Sequence, residues 1–304
     1  IRVLCMEIIR ETYTTFSENA AFLKKIFPQD DEKYYYSFLK YDPFFAPNNI
    51  YSIKNRNQTV ATLWCLPRQF VDNERTILAA GIANVATDPS FRGQGLAGQL
   101  MDKILKEVEI HNYEFLILVT EIPEYYKRWG FQEIGKYEIV IEPPSTGKNP
   151  ITCQDIPYES ILDWYSSFYQ SFQVIAPFRN LVYMRGMEEW NQWSSMFNYN
   201  EKKASWSLLE NEIGQSVIFY GLDKEKYFKV FEIIWDKNID KNGLLMLLNG
   251  WAYHLGKDIH LDLPLLVINY LGLEAKKDPK DTVMVKPFSE IDLKRLYLPV
   301  PDYF

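Results

Sequence analysis

The chain has 304 residues, enough for two domains that each bury a core, and its 47% hydrophobic and 24% charged residues describe a globular protein rather than a disordered one. The formal net charge is −7 with no basic stripe, so a nucleic-acid partner is not expected. No run reaches the ~18 apolar residues of a membrane span, and the charged start IRVLCMEIIRETYTTF lacks a signal-peptide layout, so a cytoplasmic protein with no membrane partner is expected.

In chain order, SENAAFLKKIF and DDEKYYYSFLKY carry helical apolar spacing with capping-type residues at their starts. Three strands are predicted next, over Asn49–Asn55, Thr59–Phe70 and Thr76–Asp88. Asn55-Arg56-Asn57-Gln58 and Asp72-Asn73-Glu74-Arg75 read as the hairpin turns between them. Leu96, Leu100, Met101, Ile104, Leu105 and Val108 form one apolar face of a helix ending near His111-Asn112. A strand over Phe115–Glu121, a short helix in PEYYKRWG and a strand in YEIVIE follow. The linker Pro143–Pro150 marks the expected domain boundary.

The second half repeats this order. ILDWYSSFYQSF and NLVYMRGMEEWNQW read as helices, and ASWSLLEN, QSVIFYGLD and YFKVFEIIWD as a meander. NGLLMLLNGWAYHLGK reads as a helix, with His254 structural, and DIHLDLP and TVMVKPF as strands. A degenerate duplication is the expectation. Cys5, Cys65 and Cys153 are isolated, and only His111, His254 and His260 could join them, without metal-ligand spacing. Neither a disulfide framework nor a metal site is expected.

The stretch RGQGLAG, Arg92 to Gly98, contains a literal G-x-G-x-x-G, with Glu121 at about the spacing of a dinucleotide fingerprint's acidic residue. The surroundings argue against a dinucleotide. The strand ends at Val85-Ala86, Asp88-Pro89 breaks it well before Gly93, and an antiparallel meander precedes it where a parallel βαβ unit is required. What survives is a set of backbone N–H groups at a helix start, suited to a pyrophosphate. A plain glycine-rich turn is the alternative reading.

Arg92-Gly93-Gln94-Gly95-Leu96-Ala97 resembles the Arg/Gln-x-x-Gly-x-Gly/Ala signature of the GNAT family of N-acetyltransferases. VATDPSF resembles that family's strand end and turn, and EYYKRWGFQEIG its second block. The resemblance implies acetyl-CoA as co-substrate, with Arg92, Gly93, Gln94, Gly95, Leu96, Ala97 and Gly98 on the pyrophosphate. It implies that Val85, Ala86 and Thr87 pair with the pantetheine arm, that Glu121 contacts the cofactor, and that Tyr126 donates to the departing thiolate.

The whole layout resembles the Eis group of aminoglycoside N-acetyltransferases. It implies an α+β fold of tandem domains, each a mixed, mostly antiparallel splayed sheet flanked by helices. Residues 1–142 would be catalytic, 143–150 a linker, 151–288 a degenerate second copy and 289–304 a tail. Asp240-Lys241-Asn242-Gly243 lacks the glycine signature, so the second copy should not bind CoA. In that group the terminal carboxylate acts as base, a role that would fall to Phe304. The sterol-carrier-like domain that precedes it there has no counterpart in this sequence.

The expected function is acetyl transfer to an amine by direct attack in a ternary complex. The acceptor would be a small cationic amine, aminoglycoside-like or polyamine-like, or a protein lysine. A homo-oligomer is compatible with the sequence but not fixed by it. Cys65 and Cys153 have no neighbouring His, which leaves a covalent acyl-cysteine route without support. The alternative reading is a non-catalytic acyl-CoA-binding or sensing module.

Overall fold

The computed structural model describes residues 6–42, 44–72, 75–134, 137–146, 150–177, 205–223, 227–277 and 281–297. Strand β1 (Glu7–Arg10) leads into helices α1 (Phe16–Ile26) and α2 (Glu32–Tyr41), then β2 (Ile50–Asn55), β3 (Gln58–Asp72) and β4 (Arg75–Thr87). The turn between β2 and β3 is the predicted one. Asn55 pairs with Gln58, and Arg56 and Asn57 are both left-handed, at φ 49° and 67°. A two-residue turn of that hand matches the twist of the strands it joins.

Helix α3 (Leu96–His111), strand β5 (Phe115–Thr120), helix α4 (Pro123–Lys127) and strand β6 (Gln132–Glu133) complete the first run. Beyond them lie β7 (Tyr137–Ile141), β8 (Thr152–Asp155), α5 (Leu162–Phe172), β9 (Ile175–Pro177), β10 (Ser205–Asn211), β11 (Gly214–Asp223) and β12 (Tyr227–Trp235). The chain continues with α6 (Lys241–Leu255), β13 (Ile259–Leu263), α7 (Leu265–Leu271), β14 (Lys276–Lys277) and β15 (Thr282–Pro287). The helix read from NLVYMRGMEEWNQW lies outside the described residues.

Two mixed sheets result. The first runs β1-β2-β3-β4-β5-β15-β6, with β9 also on β3, and the second runs β14-β7-β13-β12-β11-β10-β8. The sheets do not divide at the Pro143–Pro150 linker. β7, from the N-terminal half, stands between β14 and β13, while β15 pairs along all of β5. The reason is burial. Phe115 to Leu118 of β5 are at most 1% exposed, and a strand buried on both faces needs a partner on each edge.

Each sheet contains one parallel pair that opens into a fork. β4 and β5 pair at only three positions, Ala79–Gly81 with Phe115–Ile117. β12 and β13 also pair at three, Phe228–Val230 with Ile259–Leu261. Helix α3 connects the first pair and packs Leu96, Leu100, Met101, Ile104 and Val108 on one face of its sheet. Helices α1 and α2 cover the other face. There Phe16, Tyr35, Phe38 and Phe45 surround Trp64 with ring centroids 5.1 to 6.0 Å away. Much of the aromatic excess is therefore core, and Trp64 gives its indole N–H to buried Asn19 at 3.0 Å.

Candidate active site

The site is built where β4 leaves β5. β4 runs on from Gly81 to Thr87 with β3 on one side and, beyond Gly81, no β5 residue paired on the other. The sequence then turns the chain sharply. Asp88 caps the single turn Pro89–Phe91 by accepting from the Ser90 N–H at 2.9 Å, and Lys25 Nζ reaches its other oxygen at 2.7 Å. Those bonds, Lys25's first, hold the Asp88 carboxyl below its ordinary range. The Asp-Pro break thus redirects the chain toward the glycine loop.

Gly93 and Gly95 both take left-handed backbone, at φ 77° and 75°, and Gly95 is the N-cap of α3. A Cβ at either would meet nothing within 4 Å. Their glycines are demanded by conformation, and the space before them is open. The first intrahelical bond runs from Gln99 N–H to Gly95 C=O at 3.0 Å. Among the described residues no acceptor takes the amides of Gly93 through Gly98, and these sit at the positive end of a 16-residue helix.

A cleft of about 510 Å³ runs from this loop into the fork. Val85, Ala86, Thr87, Arg92, Gly93, Gly95, Leu96, Ala97 and Tyr126 line it, so the structure brings these predicted residues together. Gln94 is exposed and Glu121 stands at the end of β5, both outside the lining. It is Ile122, turned in by a bond from its N–H to Thr120 Oγ1 at 3.1 Å, that lines the cleft next to Glu121. Gly98 is likewise outside the lining. A Cβ there would touch Arg128 and Trp129 at ordinary distances of 3.5 and 3.7 Å. Phe304 lies outside the described residues.

Tyr126 is 7% exposed, and its ring packs edge-on against Tyr125 and Phe131 at 5.1 and 6.0 Å. Burial first, and then Tyr125, push its phenol pKa well above the usual tyrosine value. Tyr126 therefore keeps its proton across the physiological range, which leaves its hydroxyl able to donate. Cys65 is buried and its thiol is pushed up to about 12, chiefly by burial, so it is no thiolate nucleophile at neutral pH.

Sequence reasoning overlooked two lining features. Arg128 lines the cleft with its guanidinium carbon 4.2 Å from the Tyr125 ring centre and 3.8 Å from that of Trp129. Trp129 is tied back to α3 by its N–H to Asp102 Oδ1 at 2.8 Å. The signal was present as Tyr-Tyr-Lys-Arg-Trp, but a five-residue helix has too little periodicity to say which cation turns inward. Ile26 and Phe27, at the end of α1, form the opposite wall. Among the described lining residues the charged ones are Arg92 and Arg128, so an acidic protein presents a cationic cleft. Free amides, an open glycine cradle and two arginines fit a phosphate-bearing ligand. Among the described residues no group of three His, Cys, Asp or Glu side chains is placed to hold a metal ion.

Comparison with known proteins agrees with this geometry. Residues 7–134 match the family model of the GNAT acetyltransferase domain. No curated protein matches the chain in sequence. A GCN5-related N-acetyltransferase from Kribbella flavida has a similar structure, with TM-score 0.64 at 14% identity, covering 93% of this chain and 71% of that one. Eis1 from Mycobacterium abscessus gives TM-score 0.59 at 10% identity, covering 91% and 72%. N-myristoyltransferase of Saccharomyces cerevisiae, solved with myristoyl-CoA, gives 0.54 at 10% identity, covering 94% and 83%. These likenesses show a shared fold across nearly the whole chain. The family match lies over the segment that carries the glycine cradle, so it is residues 7–134 that are similar to a GNAT acetyltransferase domain.

Proposed function

We propose that the cleft binds acetyl-CoA and that the chain passes its acetyl group to an amine by direct attack in a ternary complex. The observation that carries this reading is the open cradle at Gly93 and Gly95, set beside a strand fork that ends in Val85, Ala86 and Thr87. Acetyl-CoA supplies the activated acyl thioester. The amides from Gly93 to Gly98, with Arg92 and Arg128, are suited to its phosphates. Backbone groups of Val85 to Thr87 are suited to the pantetheine arm and to the thioester oxygen.

Tyr126 has a specific role in this reading. A phenol held above its ordinary pKa of ~10 is a weaker acid than a thiol of ~8.5, so full proton transfer to the sulfur would run uphill. Tyr126 instead gives a hydrogen bond to the departing sulfur, stabilising thiolate as it forms. We assign the acceptor to small amines. The second half of the chain, which offers no comparable cradle among its described residues, is not assigned CoA binding in this reading.

Thiol release from acetyl-CoA against a panel of amines tests the reading. Wild type should turn over, and Tyr126→Phe should lose on the order of a hundredfold in kcat while binding CoA as before. Tight CoA binding with no turnover for any amine would mark the chain as an acyl-CoA-binding module. The phenol also predicts the pH profile. The rate should rise as the acceptor amine loses its proton and hold a plateau to at least about pH 10, because Tyr126 does not ionise below that.

A further inference from the structure

The cleft crosses the first sheet. Val85, Leu96 and Tyr126 pack with the core beneath α3, whereas Ala86 belongs to the core of the opposite face, against which Ile26 and Phe27 also pack. The cradle at Gly93 and Gly95 lies at the start of α3. A donor held there enters the fork from the α3 side, which leaves the other face for the acceptor. The described wall on that face is Ile26, Phe27 and Ala86, and Ile122 adds to the lining just beyond the end of β5.

This wall has no counter-ion to offer. Among the described lining residues the charged ones are Arg92 and Arg128, which suit the phosphates of the donor. The nearby carboxylates stand outside the lining. Asp88, beside Thr87, holds Lys25 at 2.7 Å, and Asp30, a little past Phe27, takes the Tyr35 hydroxyl at 3.1 Å. Glu121 is exposed at the end of β5. Helix α1 ends at this wall with the negative pole of its dipole, and Lys24 and Lys25 in its last turn offset that pole. Ile122, in contrast, is 59% exposed, a large apolar side chain left to water within a cleft lining. Apolar surface in such a place is suited to a ligand that covers it.

We propose that the acceptor is a monoamine on an apolar body, its alkyl or aryl group covered by Ile26, Phe27 and Ile122. Each further ammonium group of a polyamine or an aminoglycoside would leave water without a partner on this wall, a cost that a hydrocarbon does not meet. The single amine attacks uncharged. Its nitrogen bonds to the acetyl carbon, the C–S bond breaks, and the proton that nitrogen sheds ends on the CoA sulfur, giving amide and CoA. The inference rests on the acyl-CoA reading of the cleft and narrows its acceptor class.

An amine panel tests it. With acetyl-CoA as donor, kcat/KM is measured for phenethylamine, ethylamine, spermidine and kanamycin, each counted by its neutral fraction, and acetyl-CoA affinity is measured by calorimetry. Phenethylamine should exceed each of the others by about tenfold or more, the worth of covering part of a phenyl group. Ile122→Ser should cut the preference for phenethylamine over ethylamine by roughly three- to tenfold, and the exposure of this side chain keeps the core out of the comparison. Ile122→Glu supplies a counter-ion and should raise spermidine relative to phenethylamine. Wild type that favours spermidine or kanamycin overturns the proposal, as does a preference that neither folded variant moves. Acetyl-CoA bound but phenethylamine left unacetylated also overturns it, with the CoA site left standing. Wild type that does not bind acetyl-CoA refutes the acyl-CoA reading and the proposal with it.

Discussion

Helices α3 and α6 do the same architectural job and begin in opposite ways. Each connects two parallel strands that pair at three positions and then part. At α3 the N-cap is Gly95, which has no side chain to offer, and the space in front of Gly93 and Gly95 is open. At α6 the N-cap is Asp240, whose Oδ1 accepts from the Gly243 N–H at 2.8 Å. A Cβ on Gly243 would come within 2.9 Å of both Ile213 and Ile239, and one on Gly214 within 2.5 Å of Ile239. Glycine thus leaves open space before the first helix and serves packing before the second. An aspartate cap stabilises its helix and fills the place an anion would take. In the proposed reading, one turn of chain separates the unit that binds CoA from the one that does not.

The largest effect expected from breaking this contrast is at the first loop. Gly95→Glu puts a Cβ on left-handed backbone and a negative charge at the phosphate position, and should weaken CoA on the order of a hundredfold or more by calorimetry. Unchanged affinity would remove the loop from the binding site. The matching change in the second unit, Gly243→Ala, should leave CoA affinity intact and cost about 1–3 kcal/mol in denaturant unfolding, through overpacking against Ile213 and Ile239. Loss of CoA binding by that folded variant would mean that the second unit also holds ligand.

Arg128→Gln should lower CoA affinity by about tenfold, the worth of one charge-assisted hydrogen bond, and flatten its salt dependence. Equal affinities at low salt would show that Arg128 only stacks on its rings.

The smallest effect concerns how the two helices are fastened. α6 is held by apolar burial of Leu244, Leu247, Leu248 and Trp251, each at most 1% exposed. α3 adds an ionic clamp, Glu107 accepting from Arg10 on β1, Tyr51 on β2 and its own Lys103. Burial opposes ionisation of Glu107, but the bonds from Lys103, Tyr51 and Arg10 outweigh it and lower the carboxyl from 4.5 to about 2. Its folded pKa lies below the unfolded value, so the clamp stabilises fully above about pH 4.5 and is lost as pH falls toward 2. Amide exchange of α3 should accelerate over that window before that of α6, and Glu107→Gln should remove the difference. Identical acid profiles in wild type and variant would deny the clamp that role.

The features closest to chemistry were largely readable in the chain. The face of α3, the hairpin at Asn55–Gln58, the Asp-Pro break and the position of Tyr126 each depend on neighbours within about one helical turn, where residue types alone set backbone preference. Arg128 was not readable. A cation in a five-residue helix gains meaning only from what stands beside it.

By itself the sequence determined that the loop from Arg92 to Gly98 starts a helix with open amides, because glycine conformation and the loss of a strand at Asp-Pro are local effects. Only the tertiary structure decided which strands share a sheet. β7 and β15 join sheets built mainly by distant parts of the chain, and two-residue β6 and β14 exist only through their partners. Strand pairing is a long-range bond between edges, and local periodicity records which face of a strand is buried but not which edge it will meet.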